Sequence, residues 1–196
     1  MTSETLVPAL KEWAIACKAL EEGRQVVLLR KGGIMEYKEG FKLVNSRFLL
    51  FPTLEHQSTE AIQADYAHNL DIISQDDCNG KRNLTIYAEV SDIRQISSEH
   101  TLSKLEKYHI WNRRYVGMRM KYNPKKSMNM IILRVYKMIH PISICIKPEW
   151  SGCKSWISIE ISEKETELFD HRRPVLDDDR FQYVRSRILE ILNYEI

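Results

Sequence analysis

Apolar residues Leu6, Leu10, Trp13, Cys17 and Leu20 recur every three or four positions, so the pattern predicts an amphipathic helix over residues 4 to 21, with Gly23 just past its end. Two strands follow: QVVLLR (25 to 30), rich in β-branched residues and ending at Lys31-Gly32-Gly33, and SRFLLFPT (46 to 53), stopped by Pro52. The polar stretch from Glu36 to Lys42 between them reads as a hairpin-like excursion. Residues 57 to 73 are weakly helical, and DDCNGKRN (76 to 83) is turn chemistry that leads into a long strand, LTIYAEVSDIRQI (84 to 96). A second helix is predicted over 101 to 122, with Leu105, Tyr108, Trp111, Tyr115, Met118 and Tyr122 on one face and Asn123-Pro124 as its stop. MNMIILRVYKM (128 to 138) is an uninterrupted strand broken by Pro141, ISICI (142 to 146) follows, and WISIEI (156 to 161) alternates as a half-buried strand does. Asp177, Asp178 and Asp179 then open a closing helix whose buried stripe is Phe181, Val184, Ile188 and Ile191.

Strands and helices mix without regular βαβ alternation. The predicted class is therefore α+β, a single domain over residues 1 to 196, with a mostly antiparallel sheet or small β-barrel flanked by helices. A chain of 196 residues, 43% hydrophobic and 29% charged, is long enough for such a core. No run reaches the roughly 18 apolar residues of a membrane span, and the opening residues lack the pattern of a secretory signal, so a cytoplasmic protein with no membrane partner is expected. Cysteines at 17, 78, 145 and 153 have no metal-type or redox-type spacing and read as reduced thiols, Cys17 on an apolar helix face. The six histidines show no dense ligand spacing. Neither a metal site nor a cofactor is expected.

Charge changes this picture. Lys plus Arg number 29 against 27 Asp plus Glu, a net +2 that excludes a globally basic coating protein. Yet no acidic residue occurs between Glu106 and Glu149, while ten basic residues do: Lys107, Arg113, Arg114, Arg119, Lys121, Lys125, Lys126, Arg134, Lys137 and Lys147. The remaining 19 basic residues face all 27 acidic ones, so a +10 segment sits in a −8 remainder. On the predicted second helix Lys107, Arg114 and Lys121 fall in one row beside the aromatic row of Tyr108, Trp111 and Tyr115. Such a row can hold phosphates while an edge aromatic stacks on a base. Two plainer readings stay open: the aromatics are core, and the cations are a solvated flank or pair with the acidic remainder.

Three loops carry candidate chemistry. Arg30-Lys31-Gly32-Gly33 joins two cations to backbone flexible enough to approach an anion, without the spacing of a P-loop or dinucleotide fingerprint. FPTLEHQ (51 to 57) places Thr53, Glu55, His56 and Gln57 directly after a strand, where a carboxylate, an imidazole and an amide can read a base edge, act as base and orienter, or simply cap the next helix. PEWSGCKSW (148 to 156) holds two Trp about Lys154, either as a stacking surface or as a lid on the core.

Several blocks together carry a resemblance: ALKEWAIACKALEEGRQVVLLRKGGI (9 to 34), FLLFPTLEHQ (48 to 57), YAH (66 to 68), KYHIW (107 to 111), ILRVYKM (132 to 138), GCKSW (152 to 156) and RPVLDDDRF (173 to 181). They resemble the bacterial family known as domain of unknown function 1802. The family has no established activity, but some relatives occur with an Mrr-type restriction endonuclease domain. The resemblance thus implies a role in restriction-modification or phage defence, with a restriction endonuclease as partner. In order of elements the chain also resembles PUA-like domains of the ASCH and EVE type, in which a small barrel binds RNA or a modified base. It lacks their GxKxxExR-type motif.

The expected function is a module that binds DNA or RNA and reads a modified base. In it Arg30, Lys31, Arg114, Lys121 and Lys125 hold phosphates, and Thr53, Glu55, His56, Gln57 and Trp111 line a base pocket. Whether the protein is an enzyme stays open. The alternative is a nucleotide or nucleic-acid hydrolase using Lys31, Glu36, Glu55 and His56, since some ASCH-type relatives are amidohydrolases with a Lys and a carboxylate. A second alternative is a protein-interaction scaffold docked through the basic segment. The sequence leaves the oligomeric state open.

Overall fold

The computed structural model describes residues 4–31, 43–67, 80–96, 98–122, 125–152 and 154–193. Its elements in chain order are β1 (Glu4–Trp13), α1 (Ala14–Glu21), β2 (Val27–Arg30), β3 (Arg47–Thr53), α2 (Ala64–Ala67), β4 (Lys81–Ile96), α3 (Glu99–Lys104), α4 (Arg113–Lys121), β5 (Met128–Cys145), β6 (Trp156–Ser162), α5 (Glu163–Thr166), β7 (Arg172–Pro174) and α6 (Asp178–Asn193). All seven strands form one sheet of order β2-β5-β4-β3-β1-β6, with β7 beside β5. Every pairing is antiparallel except β1 with β3. The class is α+β as expected. The sheet is open rather than a closed barrel, yet it curls enough for the Arg30 Nη2 on β2 to donate to the Lys11 carbonyl on β1 at 2.7 Å, although three strands separate the two in the sheet order.

Alternation of side chains splits the core between the two faces. Leu10, Phe48, Leu50, Ile86 and Leu133 pack on one face against α1 (Ile15, Ala16, Leu20) and α6 (Phe181, Ile188). Ala9, Leu49, Phe51, Leu84, Ile157, Ile159 and Ile161 pack on the other, closed by Trp150. Of the two tryptophans, Trp150 is buried and meets Phe51 edge-on at 5.8 Å, while Trp156, the first residue of β6, is half-buried against Phe48 at 5.1 Å.

The predicted helix over 4 to 21 is half wrong. Only Ala14–Glu21 is helical, because residues 4 to 10 pair with β6 and residues 9 to 13 with β3, and Ala9 through Glu12 are buried. A strand buried on both faces loses clean alternation, and here its apolar spacing imitated a helix. Pro8 was the available signal against it. It sits where β1 pairs only with β6, since pairing to β3 begins at Ala9. Pro52 is tolerated in the same way: it pairs with β1, while β4 contacts β3 only at Arg47 to Leu49. Pro141 does not end its strand either. Ile86 pairs with Lys137 and Leu84 with Ile142, so two steps along β4 span five along β5, and the proline rides in that bulge.

The predicted helix over 101 to 122 is also corrected. It breaks into α3, a 3-10 turn at Glu106–Tyr108, an extended stretch in which Trp111 bridges Ile62, and α4. Two glutamines satisfy the interrupted backbone. Gln63 Nε2 donates to the carbonyls of Glu106, His109 and Trp111 at 2.8–3.2 Å, and Gln25 Oε1 accepts from the Ile110 N–H at 3.0 Å. Asn112 caps α4 by accepting from the Tyr115 N–H at 2.9 Å. The row of Lys107, Arg114 and Lys121 on one helix therefore does not form. The strands at 84 to 96 and 156 to 161, the end of α1 at Gly23 and the closing helix all lie where the pattern places them. The region predicted helical from 57 holds a 3-10 turn (Thr59–Ala61) and α2. The excursion from 36 to 42 and most of the turn at 76 to 83 lie outside the described residues.

Two predictions follow from this packing. Gly23 has φ +67°, and a Cβ there would meet Leu176 Cδ2 at 2.8 Å and Val175 Cγ1 at 3.2 Å. Gly23→Ala therefore destabilises the fold by about 1–3 kcal/mol in urea unfolding; an unchanged midpoint would contradict this packing. Burial holds the His109 imidazole down to about 4, outweighing the opposing pulls of the Trp111 backbone and the Glu106 carboxylate. The unfolded chain, with an ordinary histidine near 6.5, takes up that proton first. Stability should thus decline as pH falls from about 6.5 to about 4, by about 3 kcal/mol, and His109→Gln should lose that part of the slope.

Candidate functional site

Where the sheet curls over between β2 and β1, a cavity of about 420 Å³ opens. Its floor is the end of β1: Lys11, Glu12 and Trp13. Around it stand Leu29, Arg30 and Lys31 from β2 and its exit, Thr53, Glu55 and His56 after β3, one face of α4 (Tyr115, Val116, Arg119), and Gly152, Lys154 and Ser155 before β6. Trp111, Tyr122 and Met128 complete it. Trp13 and Tyr115 make an aromatic wall, with ring centroids 5.2 Å apart at 43°. Five cationic side chains (Lys11, Arg30, Lys31, Arg119, Lys154) face two carboxylates (Glu12, Glu55), so the cavity is cationic in a chain of nearly balanced charge.

The floor is made of charges taken out of water. Lys11 is 6% exposed, and its Nζ donates to Glu55 Oε2 at 3.0 Å, to the Trp150 carbonyl at 2.7 Å and to the Gly152 carbonyl at 2.8 Å. An ammonium has three hydrogens, and each has an acceptor. Burial alone would raise the Glu55 carboxyl, but the Lys11 ammonium and the Gly152 N–H (3.3 Å) outweigh it and hold the group below its ordinary value. Glu12 is equally buried: Oε1 accepts from the Trp13 N–H at 2.8 Å, and Oε2 lies 3.4 Å from Arg30 Nη1. Lys31 is 5% exposed and donates to the Met120 carbonyl; burial, then the Arg119 charge, lower its ammonium below the usual lysine value. The Cys17 thiol behind the floor is pushed well up by burial and by Glu12, which keeps it an unreactive thiol.

Of the expected site residues, Arg30, Lys31, Thr53, Glu55, His56 and Trp111 converge on this cavity. Gln57 does not line it: its Oε1 accepts from the Ile15 N–H at 2.9 Å and so satisfies the start of α1, while Thr53 Oγ1 accepts from the Glu55 N–H at 3.1 Å and shapes the turn. His56 sits in that turn with φ +62°. Arg114 and Lys121 are exposed on the flank of α4 beside its cavity face, and Lys125 is exposed just beyond. Glu36 lies outside the described residues. Four cations of the basic segment are paired with carboxylates: Arg113 with Glu106, Arg134 with Asp178, Lys137 with Glu21, and Lys147 with Glu160, at 2.6–3.1 Å. The cavity residues outside the expected set include Lys11, Glu12, Trp13, Arg119 and Lys154, while Tyr115 belongs to the aromatic row noted in the sequence. The signal for the first two was a Lys-Glu pair inside an apolar segment, which a helical reading turns toward solvent.

Among the described residues, no group of three or more His, Cys, Asp or Glu could hold a metal ion, and no helix is long and apolar enough to cross a membrane. The fold and the cavity together define an α+β protein with a cationic, aromatic-walled pocket at a sheet's curled mouth. Its sequence matches the family described as "Domain of unknown function (DUF1802)" over residues 9–187, and the chain belongs to that family. No curated protein matches it. In structure the chain is similar to an ASCH protein from Zymomonas mobilis. A serine-to-alanine mutant of that protein has 13% identity over 85% of this chain and 96% of that one, with a TM-score of 0.45. The corresponding values are 14%, 85%, 98% and 0.44 for a tyrosine-to-phenylalanine mutant, and 14%, 83%, 92% and 0.42 for the ASCH protein itself. These likenesses are too distant to assign any residue a role.

Removing the floor lysine tests its structural part. Lys11→Met should cost about 2 kcal/mol or more in urea unfolding, mostly from the stranded Trp150 and Gly152 carbonyls, because Glu55 at 41% exposed rehydrates. Glu55→Gln should cost under about 1 kcal/mol. Equal costs would contradict the assignment of the floor to Lys11.

Proposed function

We propose that this protein binds nucleic acid by taking one base into the cavity between β2 and β1 while the surrounding cations hold the flanking phosphates. The carrying observation is the coincidence in one cavity of an aromatic wall, Trp13 against Tyr115, with five cations and two carboxylates. A volume of about 420 Å³ suits a single nucleotide or base, at the lower end of ligand pockets. An aromatic face stacks on any base, and polar groups at the floor can contact its edge. Arg119 and Lys154 stand at the cavity, and exposed Arg114, Lys121 and Lys125 extend the cationic surface along α4. A base within a duplex would have to leave its stack to enter, so single strands are the favoured substrate form. A role in restriction-modification or phage defence, beside a restriction endonuclease, belongs to the same proposal and rests on the family's resemblances.

A hydrolytic reading has one observation in its favour: Lys31, Glu55 and His56 share the cavity, and Lys31 is held below the usual lysine value. Against it, the Glu55 oxygens are already engaged by Lys11 and Gly152. Product analysis after incubation with labelled oligonucleotide separates the two, since a reader returns its ligand intact.

Binding to a labelled single-stranded oligonucleotide, DNA or RNA, should weaken linearly in log affinity against log salt. Arg119→Ala and Lys154→Ala should each flatten that slope by about 0.7. Affinity unchanged between about 50 and 200 mM salt would overturn the proposal.

A further inference from the structure

Two carboxylates reach the cavity, and they differ in what they have left to offer. Glu55 has a donor on each oxygen, Oε2 from the Lys11 ammonium and Oε1 from the Gly152 N–H, and at 41% exposed its remaining lone pairs face solvent. Lys11 has an acceptor for each of its three hydrogens. Glu12 differs. Its Oε1 accepts from the Trp13 N–H, but Oε2 is buried and, among the described residues, accepts no hydrogen bond. Arg30 neutralises its charge at 3.4 Å without supplying that bond, and the Arg30 Nη2 is committed to the Lys11 carbonyl. The side chain is 7% exposed and lines the cavity together with Trp13 of the aromatic wall. A buried carboxylate oxygen lacking a donor is costly to keep, and a ligand N–H would relieve it.

We propose that Glu12 selects the base: its Oε2 accepts a hydrogen bond from an exocyclic amino group, so the cavity takes an amino-bearing base (adenine, cytosine or guanine) in preference to uracil or thymine. This rests on the nucleic-acid reading above and adds its specificity. Uracil and thymine offer only a ring N–H held between two carbonyl oxygens, which would be pressed toward the carboxylate. An amino group brings two hydrogens and presents no lone pair to the carboxylate. A site built around one hydrogen bond rejects analogues that cannot make it, because its buried partner is then stranded.

Calorimetric titration of the full chain with AMP, GMP, CMP and UMP tests this. At least one amino-bearing nucleotide should bind about tenfold or more tightly than UMP. In Glu12→Gln that gap should shrink to within about threefold, while in Arg119→Ala all four should weaken together and the gap persist. UMP binding as well as the other three to the native protein, or a full gap surviving in Glu12→Gln, would overturn the role of Glu12 and leave the nucleic-acid reading standing. No binding of any of the four would take down both. The comparison in the native protein holds whether or not the Glu12→Gln variant folds.

Discussion

The structure depends on one constraint: two consecutive charged residues, Lys11 and Glu12, are buried in an interior strand. Side chains on a strand alternate, so the pair cannot neutralise itself. Lys11 follows Ala9 to the face closed by Trp150, and Glu12 follows Leu10 to the face covered by α1. Each must find its partner elsewhere. Lys11 finds Glu55 and two carbonyls of the loop before β6; Glu12 finds the Trp13 N–H and the Arg30 charge. These demands draw three otherwise unrelated segments, the exit of β2, the turn after β3 and the loop at 148 to 155, onto the end of one strand.

The cavity is the geometric result. Arg30 can reach β1 only because the sheet curls, and the hydrogen bond it makes there holds the curl in place. The open mouth left between β2 and β1 is then walled by α4. That helix exists as a separate piece because the chain breaks at His109 to Asn112, with Gln25 and Gln63 binding the freed backbone groups. A continuous helix through that stretch would have carried Tyr115 and Arg119 on a different axis. The Gln25 and Gln63 amides thus help to set where that wall stands.

Local signals made much of this legible. Short strands such as 156 to 161 and the capped closing helix are specified by alternation and by Asp177, whose Oδ1 accepts from the Arg180 N–H. The turn after β3 announced Thr53, Glu55 and His56 through composition, and all three line the cavity. What could not be read was set by tertiary pairing. Residues 4 to 13 are a strand because β6 pairs with their first part and β3 with their last, and no local window contains those partners. Part of the basic segment is neutralised for a related reason: Arg134, Lys137 and Lys147 are answered by Asp178, Glu21 and Glu160, all distant in sequence. The Lys11-Glu12 pair was the most telling feature of the chain, and a helical reading had turned it to solvent.

The cations that remain around the mouth, together with the Trp13 and Tyr115 rings, give the cavity an aromatic wall, a polar floor and a cationic rim, the features on which the proposed nucleotide site rests. The most direct measurement is a crystal structure of the protein with a short single-stranded oligonucleotide. The account predicts one base lodged against Trp13 with an N–H directed at Glu12 Oε2 and phosphates near Arg119 and Lys154. An oligonucleotide bound on another face, with the cavity still filled by solvent, would contradict it.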